Sequence, residues 1–260
     1  MSLAYDREGP AGRLPVVLIH AGIADRRMWD PQWESLVAAR DAVRLDLRGF
    51  GESTSRPDGP LDNVADVIGT LERLGITECH VAGASFGGGV AVELALTRPG
   101  LVRSLLLCPP GGSLLGEMTP DLRRFVDGER AALERDDLDA AADLNVATWA
   151  VGPGRTDADV DPAVRDAVRR MQRSAFEVTA SWDDVDEVEL DPPALDRLAE
   201  LTQPTLVLIG GHDLDVSRRA AERVCAEAPD ARQVDWDDVA HLPSMEKPEA
   251  FLELLLDWSA

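Results

Sequence analysis

The 260-residue chain is poor in several things at once. It has one lysine, Lys247, one tyrosine, Tyr5, and three cysteines, Cys79, Cys108 and Cys225. Three thiols, odd in number and far apart, exclude a disulfide framework and a zinc knuckle, and fit a reducing cytoplasm. Cys79 and Cys108 fall in apolar, strand-like runs, where buried inert thiols are the rule. No apolar run approaches the roughly 20 residues that cross a bilayer. Residues 1–13 include Asp6, Arg7 and Glu8, and the apolar run at 14–19 is too short for the core of a secretory leader. A cytoplasmic location is therefore expected. Positive charge is scarce: 26 basic against 48 acidic residues give a net charge of −22. Such a surface repels phosphate backbones and anionic lipid, so neither nucleic acid nor membrane is an expected partner. There is no internal repeat and no low-complexity tract.

Hydrophobic residues make up 45% of the chain, enough to bury a substantial core. Apolar runs alternate with helical patterns. Residues 16–19 form a continuous apolar run, as in a strand buried on both faces. Residues 43–47 alternate apolar and charged positions. Residues 63–74 carry Val64, Val67, Ile68, Leu71 and Leu74 at helical spacing, with Asp62 as N-cap and Gly75 as stop. A strand is expected at 79–82, a helix at 86–96, and a strand at 102–107 ended by Pro109 and Pro110. Residues 113–200 then hold helical stretches and little that reads as strand. The pattern resumes with a strand at 205–209, a helix at 217–228, a short strand at 233–236 and a closing helix at 248–258. This alternation predicts an α/β fold with a mainly parallel sheet covered by helices on both faces. The core spans 1–112 and 201–260, and 113–200 is a helical lid insertion. Residues 113–191 carry 20 acidic and 9 basic residues.

Between the strand at 79–82 and the helix that follows stands Gly83-Ala84-Ser85-Phe86-Gly87. Glycines two places either side of a serine suit a sharp strand-to-helix turn that holds the hydroxyl exposed at a helix N-terminus. A serine nucleophile needs a base and a carboxylate to orient that base. Of four histidines, His241 lies in a loop after the last strand, on the same sheet edge as Ser85. Asp213 follows the strand at 205–209 in Gly210-Gly211-His212-Asp213, with Asp215 as the alternative acid. His212 reads as a loop residue and His80 as structural. An oxyanion hole needs two backbone N–H donors. Phe86, the residue after the serine, offers one. The loop His20-Ala21-Gly22-Ile23 offers the second, from Gly22 or Ile23.

Taken together these pieces resemble the α/β-hydrolase superfamily. The matching segments are His20-Ala21-Gly22 with Met28-Trp29, the run Asp46-Leu47-Arg48-Gly49-Phe50-Gly51-Glu52-Ser53, the turn at 83–87, Gly210-Gly211-His212-Asp213, and His241-Leu242-Pro243 with Glu246-Lys247-Pro248. The chain looks most similar to small lid-bearing esterases, enol-lactonases and cofactor-free haloperoxidase-like members. The resemblance implies Ser85 as nucleophile, Asp213 as acid and His241 as base. It departs at Ala21, where the family has a glycine, and in a short N-terminus with room for one strand near residues 3–7.

The expected activity is hydrolysis of a small-molecule carboxylic ester or lactone, with no metal and no cofactor. Carbon–carbon hydrolysis, perhydrolysis and lyase chemistry use the same residues. A non-catalytic receptor of this fold is the alternative of another class. The substrate pocket is expected between these residues and the lid, lined by Ile23, Trp149, Met171, Phe176 and Leu242, with Trp182 a further candidate. A homo-oligomer is compatible with the sequence.

Overall fold

A computed structural model describes residues 3–260. Seven strands form one sheet in the order β1-β3-β2-β4-β5-β6-β7. β1 (Tyr5–Glu8) pairs antiparallel with β3 (Ala42–Leu45), and every other neighbouring pair is parallel. β2 (Val16–Ile19) is buried at all four positions, which its unbroken apolar sequence requires of a strand covered on both faces. β4 (Cys79–Ser85), β5 (Val102–Pro110), β6 (Thr205–Gly210) and β7 (Ala231–Trp236) complete the sheet.

Side chains alternate between two cores, as the strand period of two dictates. Val17, Ile19, Val43, Leu45 and Val81 face α2 (Asn63–Arg73), α3 (Phe86–Thr97) and α7 (Asp215–Glu227). Val16, Leu18, Ala82, Ala84 and Leu106 face α1 (Asp30–Ala39) and α9 (Pro248–Trp258). α2 begins where the Asp62 carboxylate accepts from the Ala65 N–H at 2.8 Å, and it buries Val64, Val67, Ile68 and Leu71 on one stripe.

Several elements differ from the sequence reading. β5 runs on through Pro109 and Pro110. Its pairing with β6 ends at Leu107, so the prolines' missing N–H groups cost no bond on that side. β4 reaches Ser85, which pairs with Pro110 after an irregularity in the ladder. The sequence pattern did not signal α1; its buried contacts come from Gln32 and Leu36 rather than from a continuous apolar stripe.

Residues 113–200 contain α4 (Pro120–Leu133), α5 (Leu138–Asn145), a π-helical turn at Val146–Val151 and α6 (Pro162–Thr179). Leu122, Trp149, Val168 and Met171 from this segment are buried in the same core as Leu18 and Phe251. Beyond α6 the chain returns over the sheet edge, and Glu187 bridges to Leu61 through the Leu61 N–H to Asp186 O and Val188 N–H to Leu61 O bonds, at 2.7 and 2.8 Å. Among the described residues no helix is long and apolar enough to cross a membrane.

Candidate active site

The strand order reverses at β2, with β3 on one side and β4 on the other. The loops leaving β2 and β4 therefore part at the carboxyl edge and leave a crevice, the usual place for a ligand in an open α/β sheet. Ser85 stands at the end of β4 with φ +51° and ψ −116°, a strained conformation for a residue with a side chain, which costs on the order of 1–3 kcal/mol. The two flanking glycines make that turn feasible. A β-carbon on Gly83 would lie 2.3 Å from the Gly87 carbonyl oxygen, and one on Gly87 would lie 2.4 Å from the His20 carbonyl oxygen. Ser85 also sits at the N-cap of α3 without its hydroxyl capping the helix, so Oγ is not consumed there. The Phe86 N–H opens the helix and has no hydrogen-bond acceptor among the described residues.

His241 and Asp213 converge from the loops after β7 and β6. Nδ1 of His241 is 2.8 Å from Asp213 Oδ2 and 2.9 Å from Oδ1, and both side chains are buried. The carboxylate thus accepts the Nδ1–H and leaves Nε2 as the free ring nitrogen. Asp213 Oδ1 also accepts from the Leu214 N–H at 2.7 Å. The histidine backbone is held too: its N–H donates to the Trp149 carbonyl at 3.2 Å, and the preceding Ala240 N–H donates to Glu246 at 2.7 Å. Glu246 is in turn paired with Arg155 at 2.6 Å, with both side chains buried. Asp215, the alternative acid, is engaged elsewhere and accepts from the Thr119 hydroxyl at 2.9 Å. His212 bonds the Pro153 carbonyl and His80 bonds Ser104, both away from Asp213. No hydrogen bond joins Ser85 Oγ to the His241 ring among the described residues.

On the opposite wall, residues 21–24 form a tight turn closed by the Ala24 N–H to Ala21 carbonyl bond at 3.0 Å, and the amides of Gly22 and Ile23 make no internal bond. Gly22 lies against Phe86, where an added β-carbon would stand 3.2 Å from the Phe86 Cβ. The turn is anchored by His20, which is fully buried. Its Nδ1–H donates to the Ala21 carbonyl at 2.8 Å, and its Nε2 accepts from the Leu47 N–H at 2.9 Å. Burial holds the His20 pKa below its ordinary value, so the ring stays neutral and both bonds persist. Asp46 organises the neighbouring loop: its buried carboxylate accepts from the Arg26 and Glu52 N–H groups, both at 2.8 Å, and pairs with the Arg26 guanidinium.

Two cavities adjoin Phe86. One, of about 420 Å³, is lined by Gly22, Arg48, Phe50, Leu61 and Trp182. The other, of about 410 Å³, is lined by Val90, Glu93, Ser113, Glu187 and Glu189. Asn63, Phe86 and Glu187 border both. The sequence-derived lining is only partly realised here. Trp182 does line a cavity, but Ile23, Met171, Phe176 and Leu242 line neither. α6 is amphipathic and buries Val168, Met171 and Ala175 on one stripe, with Val168 and Met171 in the same core cluster as Trp149 and Leu242. Trp149 is buried against His241, with ring centroids 4.5 Å apart. Asn63, Glu93 and Glu187 were missed because nothing local marks them; long-range packing of α2, α3 and the returning chain brings them together.

A model of the alpha/beta hydrolase family matches residues 16–254. The chain belongs to this family. Among curated relatives, it is 29% identical to a putative carbamate hydrolase RutD of Azorhizobium caulinodans over 92% of this chain and 89% of that one. It is 24% identical to 3-oxoadipate enol-lactonase 1 of Acinetobacter baylyi over 97% and 91%. Among solved structures, a thermophilic esterase from Thermogutta terrifontis superposes with a TM-score of 0.76 at 26% identity, covering 98% of this chain and 92% of that one. These alpha/beta hydrolases are hydrolytic enzymes, and this chain is a hydrolase of the same type.

Proposed function

We propose that the chain is a serine hydrolase that cleaves a small carboxylic ester or lactone through an acyl-enzyme on Ser85. The observation that carries this reading is the buried Asp213–His241 pair, bonded at 2.8 and 2.9 Å, on the sheet edge where Ser85 ends β4 in strained backbone. Asp213 fixes the tautomer that leaves His241 Nε2 as base and balances the imidazolium that forms. As Ser85 Oγ attacks the carbonyl carbon, its proton passes to Nε2. The carbonyl oxygen becomes an oxyanion held by the Phe86 and Gly22 N–H groups, near the positive end of the α3 dipole. Gly22 is taken as the second donor because it lies against Phe86, where a β-carbon built on it would stand 3.2 Å from the Phe86 Cβ.

Collapse of this intermediate expels the alcohol oxygen, which takes the proton from His241. Water then attacks the acyl carbon while His241 takes one of its protons. A second collapse frees the acid and returns the proton to Ser85 Oγ. A Ser85 Oγ–His241 Nε2 hydrogen bond is expected to form when substrate fills the crevice. The esterase and enol-lactonase names among the relatives support an oxygen ester as the bond cleaved.

The test is release of p-nitrophenol from short acyl esters by the wild type and by Ser85→Ala, with a serine-directed phosphonate located by mass spectrometry. Turnover lost in the variant and label on Ser85 are expected. A folded protein that neither turns over esters nor takes the label overturns the reading.

A further inference from the structure

We infer that the cavity between α3 and the returning segment 187–190 receives a cationic amine, so that the preferred substrate carries an alkylammonium group at the end of its acyl chain. This rests on the ester-hydrolase reading and names the substrate class for the same site.

Glu93, Glu187 and Glu189 line one cavity together with Phe86, the residue that follows Ser85 in the chain. Elsewhere on this acidic chain, carboxylates are commonly paired with arginine, but none of these three is in an ion pair among the described residues. The one arginine at the adjoining cavity, Arg48, is already held by both oxygens of Asp66 at 2.6 and 2.7 Å. Three like charges therefore share a concave site with no cation to offset them. The physical consequence is visible in the titration of Glu93 and Glu187. Burial raises the Glu93 pKa against a lowering bond from Ser113, and Glu187, Asp62 and Glu189 raise it further. Glu187 keeps exposed surface at the mouth, yet the crowding of its carboxylate and the charge of Glu189 raise its pKa as well.

Asn63 is a second and independent sign of a ligand. It is 8% exposed and borders both cavities, and its Oδ1 is buried with no hydrogen-bond partner. A buried acceptor left empty costs about 1–3 kcal/mol, and an ammonium N–H would satisfy it. Val90, Leu115, Val188 and Leu190 form the apolar part of the wall and suit a methylene chain. A metal ion is a poorer fit, since no group of three His, Cys, Asp or Glu side chains among the described residues is placed to hold one.

Hydrolysis of p-nitrophenyl 6-aminohexanoate is to be compared with that of p-nitrophenyl heptanoate, which has the same chain length without the charge. A kcat/KM ratio of about tenfold in favour of the cationic ester is expected, as for one charge-assisted hydrogen bond. The ratio should fall towards one in the double variant Glu187→Gln/Glu189→Gln. It should persist in Glu249→Gln/Glu253→Gln, which removes the same charge from α9 on the opposite face of the sheet. A wild-type ratio of one or less, or equal loss in both double variants, overturns the proposal. If neither ester is turned over, the Ser85 reading fails, while calorimetry with hexylammonium ion and hexan-1-ol still decides this one. Selective hexylammonium binding, lost only in the Glu187/Glu189 variant, upholds it, and equal or absent binding overturns it.

Discussion

The indole of Trp149 lies 4.5 Å from the imidazole of His241, inclined at 45°, while its own carbonyl accepts the His241 N–H at 3.2 Å. Trp149 belongs to a π-helical turn, a rare form that widens a helix by one residue and recurs at functional sites. The widened turn aims both the ring and the carbonyl at the histidine. The ring excludes water on that side and limits the tilt of the imidazole. Trp149→Phe should keep the backbone bond and most of the burial, yet leave the ring free to rock. Misplacement of a reacting group by about 1 Å costs roughly a hundredfold in rate. A kcat loss of about ten- to a hundredfold with KM little changed is expected in steady-state ester kinetics. An unchanged kcat would reduce Trp149 to a core residue.

Asp213 is predicted to act through tautomer and charge rather than through folding. Asp213→Asn keeps the size of the side chain, and with its oxygen still accepting the Leu214 N–H it presents an amide N–H to Nδ1, which favours the tautomer that cannot serve as base. A fall in kcat of about 10⁴-fold is expected, with the protein still folded by circular dichroism. Asp215→Asn should leave kcat within a few-fold, because its carboxylate meets Thr119 and Arg219 instead of the histidine.

The contrast between those two aspartates explains what the sequence could and could not convey. Ser85, Asp213 and His241 could be placed on one edge from the sequence because Ser85 ends a strand and the other two lie in loops that leave strand ends, and strand ends in a parallel sheet share one edge. The order of elements and the amphipathic stripe of α2 were legible for the same local reasons. Met171 and Phe176 were read from their helical spacing, but which face a helix turns to a crevice is set by packing, which periodicity does not carry. Asn63 and Glu187 were invisible because their meeting depends on the bridge between Leu61 and Glu187, residues far apart in the chain.

His20 gives the fold an acid-sensitive point. Its pKa is held below the ordinary histidine value, first by burial. The native state therefore takes up a proton less readily than the unfolded chain. The contribution is complete above the unfolded pKa of about 6.5 and is lost as pH falls below it towards the native value. Protonation would also place a second N–H on Nε2, against the Leu47 N–H that it now accepts. The urea midpoint should fall between pH 7.5 and 5.5. His20→Asn should have a lower midpoint at pH 7.5 and a shallower fall. An identical pH slope in wild type and variant would remove His20 from the account. His80, whose pKa burial also lowers, would then be the residue to test by the same comparison.

The turn at Ser85 predicts a sharp hierarchy among glycines. Gly83→Ala and Gly87→Ala each drive a methyl group into a backbone carbonyl, at 2.3 and 2.4 Å, and neither contact is with a side chain that could swing away. The Gly87 carbonyl belongs to the first turn of α3 and the His20 carbonyl to the residue just after β2, so relief requires movement of α3 against β4 and β2. Losses of several kcal/mol, on the order of 3, are expected in urea titrations, at the upper end for a single substitution. Gly59→Ala is the matched control. It has no atom within 4 Å of the new methyl and no positive φ, so its effect should stay within about 0.5 kcal/mol. The expected kinetic signature separates the two elbow positions from that control as well. Because Ser85 is held in place by the same tight turn, any Gly83→Ala protein that does fold should lose kcat out of proportion to its loss of stability, whereas Gly59→Ala should keep it.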